Sequence, residues 1–101
     1  MPSFYAYIMS NHAHTLYVGM TGDLIRRARQ HKEREFPEAF TARYTYDRLV
    51  YFEVLPSYVA AIKREKQLKG WSRAKKVALV QEHNPHWLDL STSYTEGLRL
   101  D

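Results

Sequence analysis

The chain contains no cysteine, which excludes disulfide bridges and thiolate zinc sites. It has no apolar run near the roughly 20 residues that cross a bilayer. Met1-Pro2-Ser3-Phe4-Tyr5 has no charged region ahead of an apolar stretch, so no signal peptide is expected and a cytoplasmic protein is. Internal repeats and low-complexity segments are missing too. With 101 residues there is no room for a second domain. One domain over residues 1–90 is expected, with residues 91–101 as a C-terminal tail. Acid is in modest deficit: 11 Asp and Glu stand against 15 Lys and Arg, for a net charge of +4. That balance leans toward a polyanionic partner.

What is present is core-forming and basic. Hydrophobic residues make up 45% of the chain, enough for a buried core and too many for a disordered tail. The positive charge is clustered. Lys63, Arg64, Lys66, Lys69, Arg73, Lys75 and Lys76 surround the single acid Glu65, and Arg26, Arg27, Arg29, Lys32 and Arg34 surround Glu33. Such blocks are either solvated helix faces or a surface that tracks a phosphate backbone.

The order of elements follows from pattern and punctuation. Phe4 to Met9 and Thr15 to Gly19 are rich in aromatic and β-branched residues, and a polar loop of about five residues between them predicts an antiparallel hairpin. Thr21-Gly22-Asp23 ends the strand and offers a helix N-cap, and Leu24, Ile25 and Ala28 give the helix to Lys32 its apolar stripe. Glu33 to Asp47 reads as a long loop, a kind of segment that is often functional. Leu49 to Leu55 is dense enough to predict a central strand buried on both faces. Ser57 and Ser72 cap two helices, over Tyr58 to Lys69 and Arg73 to His83, with Ala74, Val77, Ala78 and Val80 on one side of the second. Asn84-Pro85 stops it, and Trp87, Leu88 and Leu90 are expected to fold back. The order β-β-α-β-α-α predicts an α/β (α+β) sandwich, with a small three-stranded antiparallel or mixed sheet flanked by helices.

A few side chains carry possible chemistry. Glu65 falls on the face of its helix shared by Ala61, Ile62 and Leu68. A carboxylate there pairs with an arginine, reaches solvent at the stripe edge, or binds a hard cation. Arg27 and His31 lie four apart, on one helix face. Arg27 is either a bidentate phosphate ligand or a surface arginine. His31 is either a general base or a solvated helix-end histidine. Tyr7 and Tyr17 sit on the two hairpin strands, as packing residues or as phenols whose pKa a cation lowers. Strand alternation groups Tyr5, Tyr7 and Met9 on one face, and Phe4, Ala6 and Ile8 on the other. Gly19 after Tyr17-Val18 predicts a close backbone approach. His12 and His14 have no third ligand nearby and read as a solvated loop.

Taken together, these residues resemble the GIY-YIG nuclease superfamily. They are most similar to the small stand-alone bacterial proteins that carry only the domain at the start of the excision-repair nuclease subunit. Tyr5-Ala6-Tyr7 matches the first motif through Tyr7, with Tyr5 and Ala6 in place of its glycine and isoleucine, and Tyr17-Val18-Gly19 matches the second. Thr21, Asp23 and Leu24 match the residues that follow, and Asn84-Pro85-His86-Trp87 matches the closing motif. The resemblance spans roughly residues 4–90. It implies a divalent-metal-dependent endonuclease that hydrolyses phosphodiester bonds of DNA, in repair or processing, with one Mg²⁺ or Mn²⁺. It implies that Glu65 holds the metal and Arg27 the phosphate. Tyr17, with Tyr7 or His31, would deprotonate the water, while Gly19 and Asn84 support the site. Arg26, Arg29, Lys63, Lys66 and Lys69 would contact the DNA backbone, and Phe40, Tyr44 and Tyr46 would either stack on unpaired bases or pack into the body. A monomer is expected. The rival reading is a non-catalytic nucleic-acid-binding module on the same scaffold.

Overall fold

The hairpin comes first. Strand β1 (Phe4–Ser10) and strand β2 (Leu16–Thr21) pair antiparallel, with Tyr7 opposite Gly19 and Met9 opposite Tyr17. Their loop is organised by Asn11, whose Oδ1 accepts from the backbone N–H of Ala13 and of Thr15. Asn side chains bond locally in this way and so favour turns. Helix α1 (Leu24–Lys32) follows, then strand β3 (Arg48–Leu55), helix α2 (Tyr58–Gly70) and helix α3 (Arg73–His83). The computed structural model describes residues 3–33 and 46–92.

Helices α1, α2 and α3 start on the residues whose chemistry marked them. Asp23, Ser57 and Ser72 accept from the backbone N–H groups of Arg26, Ala60 and Lys75, at 3.2, 3.1 and 3.2 Å. Each bond satisfies one donor that the first turn leaves orphaned.

The sheet is wholly antiparallel, in the order β2-β1-β3. This corrects one expectation. The dense apolar strand β3 lies at an edge, and β1 is central. A strand of five successive buried residues, Ala6 to Ser10, marks the true middle. β3 buries only Leu49, Val50 and Tyr51 and leaves Val54 61% exposed at its far end. Apolar density alone cannot separate a middle strand from an edge strand that helices partly cover.

Alternation along β1 divides the core into two layers. Ala6 and Ile8 pack with Val18, Val50, Leu68, Val80 and Trp87 beneath α2 and α3. Tyr7 and Met9 pack with Leu24, Ala28, Leu49 and Tyr46 beneath α1. Each large aliphatic or aromatic side chain removed from water here contributes about 1.5–3 kcal/mol before conformational entropy is set against it.

Three further expectations change. On α3 only Val80 is fully buried, and Ala74 and Ala78 face solvent, because the helix meets the sheet along a narrow line. Leu88 is 57% exposed while Trp87 beside it is buried. Tyr46 is fully buried against β1 and α1, so it does not stack on bases.

Trp87 turns inward with a left-handed backbone, φ 54°, and lies flat on His14, whose φ is 60°. The ring centroids are 3.9 Å apart and the planes 6° from parallel. Ser91 is buried, accepts from Lys32 Nζ and donates to Asp89. An ion pair of 2.5 Å joins Lys32 to Asp89. The first residue assigned to the tail is thus part of the packed body.

Candidate active site

The hairpin register makes Tyr7 and Tyr17 diagonal neighbours on one face of the sheet, with ring centroids 6.5 Å apart. The close approach foreseen at Gly19 is that of the Tyr7 ring. A Cβ added to Gly19 would stand 2.5 Å from Tyr7 Oη and 2.6 Å from its Cζ. The missing side chain lets the phenol lie across the β2 backbone.

α1 brings a histidine to the same point. His31 is 2% exposed, so it is no solvated helix-end residue. Its Nε2 is 2.9 Å from Tyr7 Oη, and its ring lies 4.9 Å from that of Tyr17. Burial first, and the Arg27 charge second, lower the His31 pKa to about 4. The imidazole is therefore neutral at neutral pH. Nε2 and the Tyr7 hydroxyl share one hydrogen bond, whose direction follows the tautomer of the neutral ring.

Tyr7 reports which charges surround it. Burial raises its pKa most, Tyr17 and Glu65 raise it further, and Arg27 opposes them. The hydroxyl thus stays protonated, and the charges of Arg27 and Glu65 both reach it although they come from different helices. Tyr17 is the half-exposed phenol of the pair, and Tyr46 packs behind it with centroids 5.8 Å apart. No periodic signal in the sequence pointed to that buttress, because Tyr46 lies just before β3 rather than in a helix or strand.

Glu65 is half-buried, one turn before the buried Leu68. Lys69, one turn on, is 3.5 Å from its Oε2 and is the more exposed partner. Among the described residues no group of three or more His, Cys, Asp or Glu could hold a metal.

The basic residues divide. Arg26, Arg29, Lys63 and Lys66 face solvent. Arg26 and Arg27 line a polar cleft of about 360 Å³ with Thr21, Gly22, Asp23 and Gln30. Arg64, from the same basic block, is held by the fold. Its Nε and Nη2 donate to Glu53 at 2.9 and 2.8 Å, and Glu53 also accepts from Tyr51. Lys75 sits 4.2 Å from the centre of the Trp71 ring.

Asn84 is buried at the end of α3. Its Nδ2 donates to the carbonyls of Val50 and Leu88 at 3.0 and 2.9 Å, and its Oδ1 accepts from the Leu88 N–H. Both amide protons are used in tying α3 to β3, across the sheet from β2. Tyr44 and Phe40 lie outside the described residues.

Comparison with known proteins shows the family. The family model of the GIY-YIG catalytic domain matches residues 3–78. A UPF0213 protein of Syntrophus aciditrophicus is 31% identical over 82% of this chain and 95% of its own length. One from Haloquadratum walsbyi is 37% identical over 77% and 86%. The UPF0213 protein of Bacillus halodurans, solved by solution NMR, superposes with a TM-score of 0.52 at 28% identity, covering 87% of this chain and 93% of that one. A GIY-YIG catalytic domain implies a nuclease. Since the match takes in both tyrosine strands, α1 and the helix of Glu65, the chain belongs to the GIY-YIG family, among the small UPF0213 proteins.

Proposed function

We propose that this nuclease domain is a divalent-metal-dependent endonuclease that hydrolyses phosphodiester bonds of DNA, acting as a cytoplasmic monomer in DNA repair or processing. The observation that carries the reading is the convergence of β1, β2 and α1 on the Tyr7 hydroxyl, 2.9 Å from His31 Nε2 and next to the Tyr17 ring, within the span that the family model matches. A binding module has no use for the half-buried carboxylate of Glu65.

The donor set suits a hard cation. Mg²⁺ is commonly held by one or two protein carboxylates, with waters and substrate phosphate completing the shell. Glu65 offers one such carboxylate, and its present partner is a half-exposed lysine at 3.5 Å, an ion pair weak enough to yield. When bound, the cation would supply positive charge to offset the negative charge growing on the leaving 3′-oxygen.

The chain's own residues do the rest. Arg27 grips the non-bridging phosphate oxygens with its planar fork and offsets charge in the transition state. Tyr17, the phenol that solvent reaches, orients the attacking water and takes part in its deprotonation. Tyr7 and His31 form the fixed pair against which Tyr17 is seated. Arg26, Arg29, Lys63 and Lys66 add contacts to the DNA backbone that carry no sequence readout.

The test is cleavage of labelled single-stranded, duplex and flap DNA with and without Mg²⁺ or Mn²⁺. Arg27→Ala and Glu65→Gln should each lose at least ~10² in rate, and the residual rate of Glu65→Gln should no longer respond to metal. Wild-type rates in either variant would refute the mechanism. Salt-sensitive binding by the wild type without cleavage in either metal would favour the non-catalytic module.

A further inference from the structure

Next to the arginine cleft lies a second hollow of about 300 Å³, with a different character. Tyr5, Phe52, Val54, Leu24 and Ile25 give it apolar and aromatic walls. It shares Gly22 and Asp23 with the cleft of Arg26 and Arg27, so the two adjoin at that rim. Neither Tyr5 nor Phe52 has a part in the proposed mechanism. Tyr5 also occupies the position where the first motif has its glycine, so its ring adds a wall there.

Tyr5 and Phe52 are half-buried and meet edge to face, with centroids 6.3 Å apart and planes at 69°. That geometry leaves a ring face uncovered by the pair. The volume is at the small end of ligand sites, which suits one planar heterocycle and little more. Two arginines along one flank suit the phosphate that such a heterocycle would carry. Asp23 at the shared rim caps α1 through Oδ1, and a carboxylate at that rim can accept from an exocyclic amine.

We infer that this hollow takes one unpaired nucleobase of the DNA strand whose phosphate lies at Arg27. A base inside a duplex has both faces stacked on its neighbours and must leave the stack to enter such a slot. The domain therefore prefers single strands and flaps to continuous duplex. The inference rests on the proposed nuclease reading for the position of the phosphate, but base capture can be measured without cleavage.

The experiment uses oligonucleotides with 2-aminopurine in a single strand, in a flap and in a duplex, in buffer free of divalent metal. The wild type should change the fluorescence of the first two and leave the duplex unaltered. Tyr5→Ala should weaken binding to the unpaired strands roughly tenfold, the scale of one lost base-stacking contact, with duplex binding unchanged. Val54→Glu, at a residue 61% exposed, does the same by placing a negative charge at the mouth, and it keeps the test alive should Tyr5→Ala fold poorly. Arg27→Ala should lose cleavage and weaken binding to paired and unpaired strands alike, since a phosphate contact carries no strand preference. A wild type that cleaves DNA, alongside Tyr5→Ala and Val54→Glu proteins with undiminished fluorescence change and strand preference, would overturn the base site and leave the nuclease standing. A fluorescence change that depends on Tyr5, from a protein that cleaves nothing, would keep the base site and remove the nuclease.

Discussion

The Tyr7 ring fills the volume that a side chain on Gly19 would need, with Tyr7 Oη 2.5 Å from where the Cβ would be. The glycine of the second tyrosine motif is thereby bound sterically to the tyrosine of the first. Gly19→Ala should push the phenol off His31. Tyr7 is 1% exposed and has no room to retreat, so about 1–3 kcal/mol of stability should be lost to overpacking. Cleavage should fall as well. A denaturation midpoint equal to the wild type's would show that the ring yields at no cost.

The two phenols should respond differently to loss of the hydroxyl. Tyr7→Phe leaves His31 Nε2 buried without its hydrogen-bond partner, which costs about 1–3 kcal/mol. Tyr17→Phe, at the half-exposed ring, should leave the denaturation midpoint nearly unchanged and lower kcat by roughly 10². Rates and midpoints measured on both proteins decide the matter, and the reverse pattern would exchange their roles.

Stability should vary with pH through His31. Its pKa is 6.5 when unfolded and about 4 when folded. Above pH 6.5 both states are neutral. As the pH drops toward 4, the unfolded chain takes up a proton that the folded chain refuses, so stability falls, by about 3 kcal/mol in all. Glu53 and Asp89 have lowered pKa values, so their stabilising effect begins to fade only below their unfolded values of 4.5 and 3.8. The interval from 6.5 to about 4.5 therefore belongs to His31. His31→Gln should flatten the denaturation midpoint across it, and an unchanged slope would assign the effect to another group.

Asn84→Ala separates a tie in the fold from a support of the site. It removes the donors to Val50 and Leu88 and the acceptor of the Leu88 N–H, at a cost of about 2–4 kcal/mol. Below its melting range, the variant should cleave at the wild-type rate per folded molecule. A rate loss of ~10² with intact fold would return Asn84 to the active site.

Much of this was legible in the sequence. Capping residues act locally, so Asp23, Ser57 and Ser72 marked their helices correctly. Period-two alternation sorted Tyr7 from Ile8, because β1 is covered on both faces. Strand order was not legible. Whether β1 or β3 lies in the middle is decided by long-range pairing, and β3 is the more apolar-looking of the two. The bond between His31 and Tyr7 was equally hidden, since nothing within one helical turn of His31 reveals a strand beneath it. Arg64 looked like part of a phosphate-binding block, and only the fold brings Glu53 to it from β3.

The stacked rings of His14 and Trp87 clasp the hairpin tip to the segment that follows α3, closing a circuit around nearly the whole folded chain. Bringing together residues so distant along the chain carries one of the larger closure entropies available to this topology, and both partners hold left-handed backbones to do it. Such a latch should engage after the sheet has assembled and release before it comes apart. Amide exchange in the hairpin tip should then report the docking of the C-terminal segment more directly than the integrity of the strands.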